Sequence, residues 1–205
     1  MTGKFISFEG LDGSGKSTQI ELLKEHYCSQ GKSFEVFREP GGTEISERIR
    51  SLLLHESDEM ASGTELLLFS AARYQIMHEN VLPALEEGKL VVLDRFYDST
   101  SAYQGYGRKM DLENIAALNT FASHQRAPDA TFYLRISPET RFERKAKGTT
   151  DDRMERSGDA FFERVCSGYD TLAQQQPQRI HIIDAERTIP EIQKDLIKRI
   201  DALYK

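Results

Sequence analysis

This sequence predicts an α/β protein in which a five-stranded parallel sheet lies between two layers of helices, and three observations carry that expectation. The apolar run from Phe5 to Phe8 stops at Glu9, breaks into a glycine-rich turn and resumes as a helical pattern at Lys16, which reads as strand, loop and helix. Four more strand-like runs, Phe34 to Phe37, Leu90 to Leu93, Ala130 to Ile136 and Arg179 to Asp184, alternate with stretches of helical periodicity. Strands separated by helices pair in parallel and are covered on both faces. The third observation is quantity: 205 residues, 39% of them hydrophobic, can bury one good core, so residues 1–205 are read as a single domain.

In the first unit, Gly10, Gly15, Lys16 and Ser17 fill the template G-x-x-x-x-G-K-S/T. Gly10, Gly13 and Gly15 can take backbone angles that a Cβ forbids, so successive N–H groups can turn inward around an anion. The helix start adds further unpaired N–H groups and the positive end of its dipole. Lys16 is expected on the β- and γ-phosphates of a nucleotide and the Ser17 hydroxyl on Mg²⁺. Gly10, Leu11, Asp12, Gly13, Ser14, Gly15, Lys16, Ser17 and Thr18 are therefore the expected ATP-phosphate site, and the fold is expected to be of P-loop NTPase type.

Composition removes several function classes. A net charge of −6 argues against a general nucleic-acid binder, so an anionic ligand must be held by local clusters of Lys and Arg. Cys28 and Cys166 fit neither a disulfide framework nor a metal-ligand spacing. No apolar run approaches a membrane span and no leader is evident, so the chain is expected to be cytoplasmic, without a membrane partner.

Taken in order, Ile20, Leu22, Leu23 and Tyr27 continue the first helix to Gly31. Strand two ends in Arg38-Glu-Pro-Gly-Gly-Thr43, where Thr43 can cap a helix running through Leu54. That placement makes Arg38 a strand-end cation near the phosphate loop. Thr64 to Glu87 suits one long helix with a kink at Pro83. Phe69 and Arg73, four apart, share a face of it; pattern alone favours a core Phe beside a solvated Arg over a base-reading pair. Strand three ends at Asp94-Arg95, and an acid at such a tip is the usual second half of an NTP site, acting on Mg²⁺. Phe96 to Gly107 is dense in hydroxyls, aromatics and an amide, which suits a polar ligand wall. After a helix over Asp111 to Ser123 and strand four, residues 141–156 gather Arg141, Arg144, Lys145, Lys147, Arg153 and Arg156 around a flexible turn. Charge runs are usually solvated faces, but this one suits a lid over triphosphate. Helices over Phe161 to Gln174 and from Ile189 to Ile200 flank the fifth strand.

A phosphate loop alone does not separate a kinase from a switch or a motor. This chain lacks an Asn-Lys-x-Asp guanine tetrad, and Arg38, Phe69, Arg73, Arg95 and Gln104 form a second set of groups opposite the loop, as transfer between two bound substrates requires. Glu9-Gly-Leu-Asp-Gly-Ser-Gly-Lys-Ser-Thr18, Arg38-Glu-Pro-Gly-Gly-Thr43, Phe69-Ser-Ala-Ala-Arg73, Asp94-Arg95-Phe96 and Ser101-Ala-Tyr-Gln-Gly105 together resemble the bacterial thymidylate kinases, over nearly the whole chain.

The resemblance implies phosphorylation of dTMP to dTDP with MgATP, in dTTP synthesis. Phe69 then stacks on thymine, Arg73 bonds its edge and Gln104 contacts the ring. Arg38 and Arg95 grip the acceptor phosphate, Asp12 meets the 3′-hydroxyl and Tyr103 crowds the 2′ position, with Glu9 and Ser99 in the same dTMP site. It also implies that Lys16, Arg95, Arg153 and Asp94 are catalytic. With Gly13 in the loop and a basic lid, the chain resembles the class that takes its catalytic cation from the lid. Arg153 is the closest match there, and Lys145 and Lys147 are secondary. Ser17 is expected as a direct metal ligand, Asp94 through water, and Ala185 against adenine. A homodimer through the helix from Leu66 to Leu85 is the expected assembly. The alternatives left open are another pyrimidine nucleoside monophosphate kinase and a P-loop switch ATPase.

Overall fold

A computed structural model describes residues 3–56, 59–145 and 153–204 of the chain. Strands β1 (Lys4–Glu9), β2 (Phe34–Arg38), β3 (Leu90–Asp94), β4 (Ala130–Arg135) and β5 (Ile180–Asp184) form one five-stranded sheet in the order β2-β3-β1-β4-β5, and every pair is parallel. The expected sheet is the one that forms. Its register places Phe8 level with Asp94 and Asp94 level with Arg38. The phosphate loop, the Asp94-Arg95 turn and the segment after Arg38 thus leave the sheet side by side at its C-terminal edge, where open α/β sheets bind ligands.

Alternation along the strands divides the core between the two faces. Phe5, Val91 and Leu93 pack with Ile76, Met77 and Val81. Ile6, Phe8 and Val92 belong to the larger cluster that takes in Leu23 and Tyr27 of α1 (Lys16–Ser29) and Leu196 and Ile200 of α9 (Ile189–Ala202). Helix α2 (Glu44–Ser51) starts at Thr43, whose hydroxyl accepts from the Ser46 N–H at 3.1 Å. Helix α6 (Leu112–Ala122) is capped in the same way by Asp111. Among the described residues, no helix is long and apolar enough to cross a membrane.

Two stretches differ from expectation. The long helix over 64–87 is instead α3 (Ser62–Ile76), a widened turn over Met77–Val81 and α4 (Leu82–Glu86). Pro83 lacks an N–H and its ring crowds the carbonyl four residues back, so the ladder widens one turn ahead of the proline. The polar wall is helical as well: α5 (Tyr97–Thr100) runs into a widened turn, Ser101–Gly107, that carries Tyr103 and Gln104. Single widened turns of this kind recur at functional sites. Beyond β4, α7 (Pro138–Lys145) ends at the edge of the described residues; the chain is described again from Arg153 and enters α8 (Asp159–Gln175). Residues 146–152 of the expected lid, Lys147 among them, lie outside the described residues, as does the side chain of Lys145.

Candidate active site

The phosphate loop has the conformation its glycines permit. Gly10 sits at φ 136°, and a Cβ there would stand 2.5 Å from the Leu134 carbonyl oxygen, so only glycine fits. Gly15, at φ 90°, opens α1 without a side-chain cap, and the first turn holds no acidic residue. The free N–H groups and the positive dipole end therefore face the loop's concavity. Lys16 is buried, and its Nζ donates to the carbonyls of Gly10 at 3.0 Å and Leu11 at 3.1 Å, with the Asp12 carboxylate 3.8 Å away. Burial, aided by the nearby Arg95 charge, holds its pKa below the usual lysine value. Ser17 and Thr18 are exposed at the helix start, whereas Leu11 and Ser14 are buried. The Ser17 hydroxyl lies 3.4 Å from Asp94 Oδ2, and Asp94 Oδ1 is buried without a hydrogen-bond partner.

Beside this loop opens a cleft of about 640 Å³, mouth included, and it brings together Asp12, Phe69, Arg73, Arg95, Ser99, Tyr103 and Gln104. Arg73 is 2% exposed and is held on three sides: Nε donates to Glu39 at 2.8 Å, Nη1 to Asn119 at 3.0 Å and Nη2 to Thr100 at 2.9 Å. A guanidinium has five N–H donors, so Arg73 keeps capacity for a ligand. Arg95, at φ 70°, donates to Asp12 at 2.6 Å and to Ser99 at 3.3 Å and lies 5.3 Å from the centre of the Tyr103 ring. It joins the cleft to the phosphate loop. Tyr103 is fixed edge-on by Phe161 and Tyr169.

Three expected residues are placed elsewhere. Glu9 is fully buried: Oε1 accepts from the Phe96 N–H at 2.8 Å, and Oε2 from Ser99 at 2.5 Å and Tyr169 at 2.9 Å. Burial, reinforced by the Asp98 carboxylate, pushes its pKa up to about 7. Glu9, expected in the dTMP site, thus lies beneath Ser99 and does not line the cleft. Arg38 turns its guanidinium to Glu47, at 3.2 Å, and does not line the cleft. Arg153 is also displaced from its expected place over the phosphates. It is buried, its Nη1 lies 2.6 Å from Glu65 and its Nε donates to the Leu53 carbonyl. Among the described residues of the expected lid, Arg144 reaches the loop: it donates to the Gly13 carbonyl at 3.2 Å and to that of Ala185 at 3.1 Å. Arg144 thus links the phosphate loop to Ala185, the residue expected against adenine.

The sequence reading passed over Arg50, Glu39 and Glu65. Arg50 lines the cleft and donates to the Pro40 carbonyl at 2.8 Å; its spacing from buried Ser46 and Leu54, four residues each way, was the signal. Glu39 lines the cleft with Oε1 unpartnered, and burial, against the pull of Arg73, lifts its pKa to about 7.

Comparison with known proteins places this architecture in a family. The thymidylate kinase family model matches residues 8–196. A thymidylate kinase from Chlorobaculum parvum is 46% identical, covering 97% of this chain and 95% of that protein, and one from Thermoanaerobacter sp. (strain X514) is 43% identical over 96% and 97%. The crystal structure of thymidylate kinase from Ehrlichia chaffeensis superimposes with a TM-score of 0.81 at 35% identity, covering 98% of this chain and all of the other. A P-loop between the two halves of a parallel sheet, a cleft beside it and these matches lead to one conclusion: the chain belongs to the thymidylate kinase family.

Proposed function

We propose that the chain transfers the γ-phosphoryl group of ATP to dTMP, giving ADP and dTDP on the route to dTTP. The observation that carries this reading is the junction at Arg95. One guanidinium bridges Asp12 of the phosphate loop and Ser99 of the cleft, so a phosphate held in the cleft would face one held in the loop. Phe69 offers a ring to the base, Arg73 and Gln104 offer polar groups to its edge, and Tyr103 walls the sugar.

A phosphate monoester with a second pKa of about 6 is already anionic near neutral pH, so no general base is needed. Catalysis then rests on alignment and on cations placed where charge spreads in the transition state. Lys16 exchanges the carbonyls of Gly10 and Leu11 for phosphate oxygens, and Arg95 neutralises the incoming acceptor. Arg144, already against the loop, is the lid cation of this reading, and Arg153 belongs to the base side. Ser17 and Asp94 suit Mg²⁺: both are hard oxygen donors, they face each other, and Asp94 Oδ1 is an orphaned buried acceptor. The ion, when bound, supplies charge neutralisation on the transferring phosphoryl oxygens.

A second copy of the chain is the proposed partner. Leu66, Ala72, Ile76, Val81 and Leu85 are core residues, but Leu67 and Phe121 are 59% and 67% exposed, and Tyr74 stacks on Phe121 at 5.2 Å. This apolar face of α3 and α6 suits a homodimer. A cytoplasmic setting, where both nucleotides are made, fits the free thiols of Cys28 and Cys166.

Incubation with ATP, Mg²⁺ and each of dTMP, dUMP, dCMP and UMP, followed by anion-exchange chromatography, tests the reading. dTDP should dominate, with a minor yield of dUDP. Equal yields from all four acceptors would overturn the thymine pocket.

A further inference from the structure

A carboxylate can accept hydrogen bonds but cannot give one, and this settles what Gln104 shows to the cleft. Glu65, on α3, is fully buried, and its Oε1 accepts from Gln104 Nε2 at 2.8 Å and from Arg108 Nε at 3.3 Å. Its Oε2 accepts from Arg108 Nη2 at 3.2 Å and lies 2.6 Å from Arg153 Nη1. Burial opposes ionisation here, yet the hydrogen bonds from Gln104, Arg108 and Arg153 hold the carboxyl below its ordinary range, so it stays charged near neutral pH. Gln104 must then turn its amino group to Glu65, and its carbonyl oxygen is the end left for the cleft that it lines.

An amide is nearly symmetric in shape, and an unpinned glutamine can present either end to a ligand. We propose that Glu65 is a positioning residue for base selection. By holding the Gln104 amide in one orientation it shows the base an acceptor, which suits thymine and uracil, whose N3 carries a hydrogen. Cytosine, whose N3 is itself an acceptor, is rejected. The inference rests on the reading that Gln104 contacts the base in this cleft. The chain of support is explicit: Arg108 and Arg153 hold Glu65, Glu65 holds Gln104, and Gln104 reads the ring. It also gives Arg153 a task on the base side of the molecule, away from the phosphate loop.

The isosteric variant Glu65→Gln is informative because only one of its two ends is an oxygen. Two guanidinium donors converge on the Oε2 side, against the single longer contact from Arg108 Nε at Oε1, so the oxygen belongs at Oε2 and the new amino group faces Gln104. Gln104 then turns over, gives its oxygen to the new amino group and shows the cleft a donor.

The measurement is the ratio of kcat/KM for dTMP to that for dCMP, in wild type, Glu65→Gln, Glu65→Asp and Gln104→Ala. Glu65→Gln should lower the ratio by about tenfold or more, because a pocket built on one hydrogen bond discriminates strongly against its mismatch. Glu65→Asp, which keeps an acceptor-only carboxylate, should hold the ratio within about threefold of wild type, and it decides the matter if the glutamine variant fails to fold. Gln104→Ala should lower the ratio as well. A fall in Gln104→Ala with no change in Glu65→Gln would overturn the positioning role and leave the pocket standing. So would a proportional loss of both activities in Glu65→Gln, or a collapsed ratio in Glu65→Asp. An unchanged ratio in Gln104→Ala would instead overturn the base-contact reading itself.

Discussion

The two sides of the cleft are prepared to different degrees. On the proposed acceptor side, Arg73 has three buried partners, Gln104 donates to Glu65 and Tyr103 is packed against Phe161 and Tyr169. On the proposed donor side the polar groups rest on one another: Lys16 and Arg144 on loop carbonyls, Ser17 on Asp94, and one Asp94 oxygen on nothing. A pre-organised site binds without a further ordering cost, whereas a site whose donors are self-satisfied must exchange bonds first. The acceptor pocket should thus behave as a fixed template, and the phosphate loop should complete itself around its ligand.

Four perturbations break or sharpen this contrast. The largest effect belongs to the donor side: Lys16→Ala should lower kcat by about 1,000-fold or more while the dTMP dissociation constant, read by calorimetry, stays near wild type. On the acceptor side, Arg73→Ala strands the buried Glu39 carboxylate and should cost about 3–5 kcal/mol of stability in denaturant titration, along with dTMP binding. If Arg73 served only as a ligand contact, stability would not move.

A third experiment separates the two lid arginines. Arg144→Ala should reduce kcat by about 100-fold with the KM for dTMP unchanged, whereas Arg153→Ala should mainly raise the KM for dTMP. The reverse pattern would restore Arg153 to the phosphates.

The smallest effect concerns Glu9. A buried carboxyl whose folded-state pKa rises from 4.5 to about 7 contributes stability that is fully present below pH 4.5 and is lost as pH climbs through 7. Compared with wild type, Glu9→Gln should flatten the fall in stability between those pH values by about 1–3 kcal/mol. Identical slopes in the two proteins would place the titration elsewhere.

The sheet, the phosphate loop and the Asp94-Arg95 turn were legible because period-two and period-3.6 patterns and one dense motif are local signals. The widened turns were not, because the break ahead of Pro83 depends on a clash with the preceding turn that leaves no mark on the apolar pattern. Among the lid arginines, sequence could see only that positive charges cluster. Which of them meets the loop is decided by where acceptors lie, and Arg153 finds Glu65 while Arg144 finds Gly13. Glu65 itself was invisible for the same reason, since its partner Gln104 is 39 residues away. Phe69 and Arg73 shared a helix face as their spacing required, but pattern alone pointed to core packing; the resemblance to known kinases implied a ligand role for them, and both line the cleft.

The measurement that bears most directly on the account is ADP release from MgATP, with dTMP and with no acceptor, alongside the yield of dTDP. The account predicts that release is fast only with dTMP and that ADP and dTDP appear in equal amounts. ADP released at the same rate without an acceptor would contradict it, leaving a nucleotide hydrolase with an unused cleft.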